Sequence, residues 1–507
     1  MAARAIRHRI PVSLRHRWRL VAGSVGLIAA LILVVGSLRV TALVYSDAAE
    51  GFTVNWDVQG TVDLFDTSVA HEISLEYDED DYREMAETFE DTGEKEWIKA
   101  DITIDGVTIA DVGIRLKGNS TLQGLGGGGE QPGGEQGGDR PPGGGQDGGQ
   151  PPAGGQGGEQ GGGGQEGGIR IGAPDLSLSF DEPEALPWLV DFSKYVDGQV
   201  YQGNRQISLR VESAREDAVL TEAVAAEAVE ASGQPSYDWT YSTVSVNGSD
   251  AVTRRVVDIM DVTWVQEEFG ADDGVLYKGS AGQDFAYQGE DPDDYEDDFK
   301  QVNMEGAADM RPIVDFLQWY DSADDETFAA ELDEWFDIES LASYVALQNL
   351  LVNGDDMGGP GSNYYLWHDF ETGLFSVIAW DLDLVLQNAD LAPEELPSMM
   401  RTYGPGGEAP PEGAEIPEDA VIMGPGDMGG LEFKERFLDV GAFDEAYMQA
   451  YDEFYERIYA GGAALEAVET AASAAELNGA DGVAESVESL TAIIQDRTAF
   501  LEAALAK

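Results

Sequence analysis

The chain has 507 residues, enough for two or three average domains or for one large unit with insertions. Its 97 acidic against 29 basic residues give a formal charge of -68, which argues against nucleic acid as a partner and favours divalent cations and basic proteins, although salt or solubility adaptation fits it equally. There is no cysteine, so disulfide frameworks, thiol chemistry and cysteine metal sites are excluded.

Residues 1–19 form a basic tail carrying Arg4, Arg7, Arg9, Arg15, Arg17 and Arg19, and Leu20 to Leu38 contains no charge. That length suffices to span a bilayer, and the basic flank places the tail in the cytoplasm and the rest of the chain outside. Residues 39–70 read as a stalk. From 71 to about 300 the pattern is β-rich: Ile73, Leu75 and Tyr77 alternate with polar residues, as do Ile102, Ile104 and Val107, around a short acidic helix near Asp81–Glu90. An insertion at 124–168 is almost wholly Gly, Gln, Pro, Glu and Asp, a composition that cannot bury a core and is expected to be disordered.

Strand-like alternation resumes at Leu176–Phe180 and Gln206–Val211, and Leu220–Ala231 reads as a helix. Two further strands, Tyr241–Val246 and Val252–Asp258, flank Asn247-Gly248, a strong hairpin signal. Helical runs follow at Met310–Tyr320, Asp325–Phe336 and Ile338–Val352, so a lobe boundary is expected near 300, with 301–507 mainly helical. A Pro/Gly/Met loop at 389–430 precedes helices at Phe443–Ile458 and Val487–Leu505.

The chemistry concentrates at 353–383. Asn363 opens one arm of a predicted hairpin, 363–383, and Asp381 and Asp383 close the other, with Asp355 and Asp356 just upstream. An acidic pair, an amide and a second acidic pair follow the order in which phosphoryl-transfer enzymes place a base, a metal-binding amide and a metal-binding carboxylate. Asp and Asn are also ordinary turn residues, and turn capping with solvated acids explains the same string. The four histidines, His8, His16, His71 and His368, show no zinc spacing, and neither a serine-nucleophile elbow nor a Walker loop occurs.

The strings Ser362-Asn363-Tyr364-Tyr365-Leu366-Trp367 and Trp380-Asp381-Leu382-Asp383 resemble the signature of the CotH (spore coat protein H) kinases. Gly113–Ser120, Lys194–Gln199 and Leu276-Tyr277-Lys278 resemble further segments of that family, from about Ile73 to the C-terminus. The resemblance implies an α+β, atypical protein-kinase-like fold with a β-rich N-terminal lobe and a helical C-terminal lobe, here behind one transmembrane helix. It implies transfer of the ATP γ-phosphoryl group, with Mg2+ or Mn2+, to Ser or Thr of proteins at the cell surface. Asp381, Asp383 and Asn363 are then the metal ligands, and Asp356, in preference to Asp355, the base. The phosphate-binding cation is sought among Lys117, Lys194, Lys278 and Arg115, and its acidic helix partner is Glu222 or Glu227. A non-catalytic surface or envelope-assembly module holding a structural cation is the alternative.

Overall fold

A computed structural model describes residues 52–118, 120–125, 178–211, 219–283, 285–397 and 429–506, all within one compact unit, Ala48–Lys507. The expected tail 1–19, anchor 20–38 and nearly all of the insertion 124–168 lie outside the described residues, as does most of the loop 389–430. Among the described residues no helix is long and apolar enough to cross a membrane.

Seven strands close into a barrel in the order β2 (Glu72–Tyr77), β3 (Ile98–Ile104), β4 (Val107–Leu116), β5 (Trp188–Asp191), β7 (Gln206–Arg210), β9 (Val252–Asp258) and β8 (Trp239–Val246). Two tight turns set its registers. Asp105-Gly106 joins β3 to β4 and Asn247-Gly248 leads from β8 towards β9, each residue at positive φ as a type I′ turn requires. Closure comes from β2 lying parallel to β8, with Ile73 opposite Val244. Alternation then sends Ile114, Trp188, Val190, Ile207, Leu209, Val244 and Val256 into the barrel as one apolar core.

The outer face of the same strands carries different chemistry. Arg210 on β7 pairs in register with Arg255 on β9, and Arg255 with Tyr241 on β8. Helix α1 (Glu79–Thr92), N-capped by Asp78 and ended by Gly93 in the left-handed region, lies in the β3 region. Helix α2 (Thr221–Ser232) follows β7 and is buried along most of its length.

A second, four-stranded sheet runs β11 (Phe299–Gln301), β10 (Gly274–Gly279), β12 (Tyr364–Asp369), β13 (Phe375–Ala379). The hairpin predicted at 363–383 is thus present, with Tyr365 opposite Ile378 and its turn at Gly373. Its other neighbour is β10, after the short helix α3 (Val262–Glu268). This sheet joins residues from both sides of the expected boundary near 300, because β10 contributes its antiparallel edge to β12. The helices are α4 (Arg311–Ser322), α5 (Asp325–Glu331), α6 (Ile338–Leu350), α7 (Gly429–Asp439), α8 (Asp444–Phe454), α9 (Ala463–Leu477) and α10 (Val483–Leu505). One continuous apolar cluster runs from Tyr241 and Val257 outside the barrel, through α2 and β12–β13, to α6 and α10. The mixed α+β class is as expected. Two sequence expectations change: β1 (Trp56–Val58) pairs with β6 (Gln199–Tyr201) and Leu64 is fully buried, so 56–64 is built into the fold rather than being a stalk, and 178–180 form no strand.

Candidate active site

Asp381 follows β13 and the buried Trp380, in left-handed backbone at φ 55°. Three other non-glycine residues around it share that strained region: Val352 at the end of α6, Ser362 just before Asn363, and Leu386. Such conformations persist only where the surroundings impose them, and here they bracket every carboxylate of the predicted site.

Asp355 and Asp356 lie on the turn after α6, where Asn353 receives the Asp355 N–H on its own side-chain oxygen. Their surroundings diverge. Asp356 is 1% exposed and takes a bidentate contact from Lys434 of α7, at 2.5 and 2.7 Å, plus the Gly358 N–H at 2.8 Å. Its negative charge is fully answered inside the protein. Asp355 has no ion pair among the described residues; it accepts from the Gly361 N–H at 2.7 Å and from Asn363 Nδ2 at 3.0 Å. Gly361 is required there, because a Cβ would stand 2.5 Å from Asp355 Oδ2. Burial, with the charges of Asp381 and Asp356 adding to it against the Gly361 hydrogen bond, pushes the Asp355 carboxyl up to about 7.

Asn363 spends its amide nitrogen on the Asp355 carbonyl and carboxylate, which leaves Oδ1 as its only possible ligand atom. Asp383 is lifted well above the usual carboxylate range by burial and by the charges of Asp381 and Glu222. Asp381 is held below that range: desolvation opposes its charge, but Arg210, with smaller contributions from Lys117 and Lys278, outweighs it. Arg210 Nη1 sits 2.5 Å from Asp381 Oδ1 and 2.8 Å from Glu222 Oε1.

Glu222 is therefore in the site, but its partners are arginines. It also pairs with Arg255 and accepts from the Tyr237 hydroxyl at 2.9 Å. Glu227, one turn and a half later, faces away and accepts from Trp239 Nε1 at 3.2 Å. Of the four proposed phosphate cations, Lys117 lies over the Trp380 ring at 5.9 Å and, with Lys278, contributes to the field at Asp381. Arg115 and Lys194 instead stack on Trp97, at 4.9 and 5.3 Å. Sequence reasoning missed Arg210 and Lys434. Scarcity of basic residues was the available signal, since each lysine and arginine outside the tail has many acids to answer.

Does this donor set fit a divalent cation? Asp381, Asp383 and Asn363 offer hard oxygens, and the repulsion that raises Asp383 is what such a cation would relieve. Among the described residues no group of three or more His, Asp or Glu is placed to hold a metal ion.

Residues 179–467, more than half of the chain, match the family described as CotH kinase protein. The chain belongs to the CotH kinase family. No curated protein matches it. The CotH match takes in α2, the hairpin and all four carboxylates, and it gives the chain an atypical kinase-like, phosphotransferase character. Gly113–Ser120 precedes the matched region, so Lys117 enters the site through the fold alone.

Proposed function

We propose that this CotH family member transfers the γ-phosphoryl group of ATP to Ser or Thr hydroxyls of proteins outside the cytoplasm. The barrel side acts as the nucleotide lobe and the helical side as the acceptor lobe. The observation that carries the reading is the meeting of Asp381, Asp383, Asn363 and Asp355 from three chain segments beside Arg210, Lys117 and Lys278.

Asp355 is the base in this reading, in place of Asp356. It has no cation of its own among the described residues, its oxygens are oriented by Gly361 and Asn363, and it is not wholly closed off, at 8% exposed. The acceptor hydroxyl gives its proton to Asp355 as its oxygen bonds to the γ-phosphorus, and the bond from γ-phosphorus to the bridging oxygen breaks to release ADP. Arg210, Lys117 and Lys278 offset the phosphate charge, and Glu222 fixes Arg210. Asp381, Asp383 and Asn363 Oδ1 would hold Mg2+ or Mn2+, which supplies charge neutralisation at the transferring phosphates.

Incubation with labelled ATP, Mn2+ or Mg2+ and a generic acceptor protein tests this. Transfer by the wild type that disappears in Asp381→Ala is expected. No transfer, together with no nucleotide-dependent rise in Tm, would favour the non-catalytic binding module.

A further inference from the structure

Arg210 occupies an unusual position between two carboxylates. Nη1 alone reaches both Asp381 Oδ1, at 2.5 Å, and Glu222 Oε1, at 2.8 Å, while the guanidinium lies over the Trp380 ring at 5.2 Å. The two carboxylates differ in what they keep if Arg210 moves. Glu222 retains Arg255 and the Tyr237 hydroxyl, so its buried charge stays answered. Asp381 is one-third exposed and, among the described residues, has beyond Arg210 only the weaker charge effects of Lys117 and Lys278.

The geometry points to Arg210 as an internal counter-ion that competes with a divalent cation for Asp381 Oδ1 and thereby sets the metal affinity of the site. This deepens the reading of Asp381 as a metal ligand and rests on it. Asp381 sits in left-handed backbone directly after the buried Trp380, which limits how far its main chain can shift away from either cation. Arg210 is long and can pivot about Glu222 while keeping Trp380 beneath it. A cation arriving with a nucleotide brings phosphates to which the displaced guanidinium can turn; a bare cation brings none. Metal alone is then bound against the Arg210 contact, and metal with nucleotide is not.

Mn2+ binding to the full-length chain, followed by the electron paramagnetic resonance of the free ion, tests this without any turnover. Arg210→Met removes the charge but keeps a stem against Trp380. It is expected to bind Mn2+ alone about tenfold more tightly than wild type and to lose the tightening that ATP gives the wild type. Arg210→Lys, which keeps a cation, should return Mn2+ affinity towards wild type, and thermal unfolding of each variant establishes that the fold is intact. Equal or weaker Mn2+ binding by Arg210→Met, with Asp381→Asn still abolishing it, would overturn the competition and leave the metal site standing. Unchanged Mn2+ binding in Asp381→Asn would overturn both.

Discussion

Asp355 and Asp356 are adjacent in the chain and opposite in circumstance. Asp356 is sealed against Lys434, which neutralises it, whereas Asp355 sits among Asp381, Asp383 and Asn363, oriented by hydrogen bonds but not neutralised. In a chain with 97 acids, acidity itself identifies nothing. Between these two neighbours, what separates the structural carboxylate from the chemical one is whether the fold has already supplied its cation.

The sharpest way to break that contrast is to neutralise each residue in turn. Asp355→Asn should lower labelled phosphate transfer by about 10²- to 10⁴-fold with little loss of stability. A smaller effect would return the role of base to another group. On the structural side, Asp356→Asn or Lys434→Met alone strands one buried charge and should cost about 3–5 kcal/mol in denaturant unfolding. The double substitution Asp356→Asn/Lys434→Met should regain most of it; if it does not, Asp356 has a task beyond answering Lys434.

His368, near the end of β12, extends the contrast to a group kept neutral by burial. Desolvation lowers its pKa to about 4, against about 6.5 in an unfolded chain. Between those values the unfolded state binds a proton that the folded state refuses, so stability falls as pH drops from 6.5 towards 4, by about 3 kcal/mol from this group. Urea unfolding at stepped pH should show that slope shrinking in His368→Gln. The smallest change belongs to Ser362→Gly, which relieves left-handed strain at φ 47° while adding backbone freedom; we expect less than about 1 kcal/mol on stability, and a rise in KM if the strain positions Asn363.

Much of this was legible in the residues. The 363–383 hairpin followed from two alternating apolar runs about a Gly turn, and the Asn247-Gly248 hairpin from its turn type, because both signals are local. Helices at 311–322, 325–331 and 338–350 lay close to the predicted runs. What stayed hidden depends on distance along the chain. Lys434 is 78 residues from Asp356 and Arg210 is 171 from Asp381, and neither partner leaves a periodic trace. The barrel was invisible for the same reason: its closure is a parallel pairing of β2 with β8, and β5 is a four-residue strand buried on both faces. Glu222 was found on the right helix, yet its expected lysine proved to be two arginines from β7 and β9.

The buried Arg497 of α10 makes a final point about where this protein ends as a physical object. Its guanidinium donates to the carbonyls of Asn349 and Leu350, at the close of α6, and to those of Ala389 and Leu391 beyond the Asp381 turn. It thereby ties together the two segments that flank the carboxylates. Yet it lies 30 residues past the last residue that matches the family, and β2, β3 and β4 of the closed barrel lie before the first. A fragment trimmed to 179–467 would carry Asn363 and all four carboxylates but would lack Lys117, the full barrel and this tie. The span that relatives share is a record of common chemistry; the cooperative unit that folds is larger at both ends.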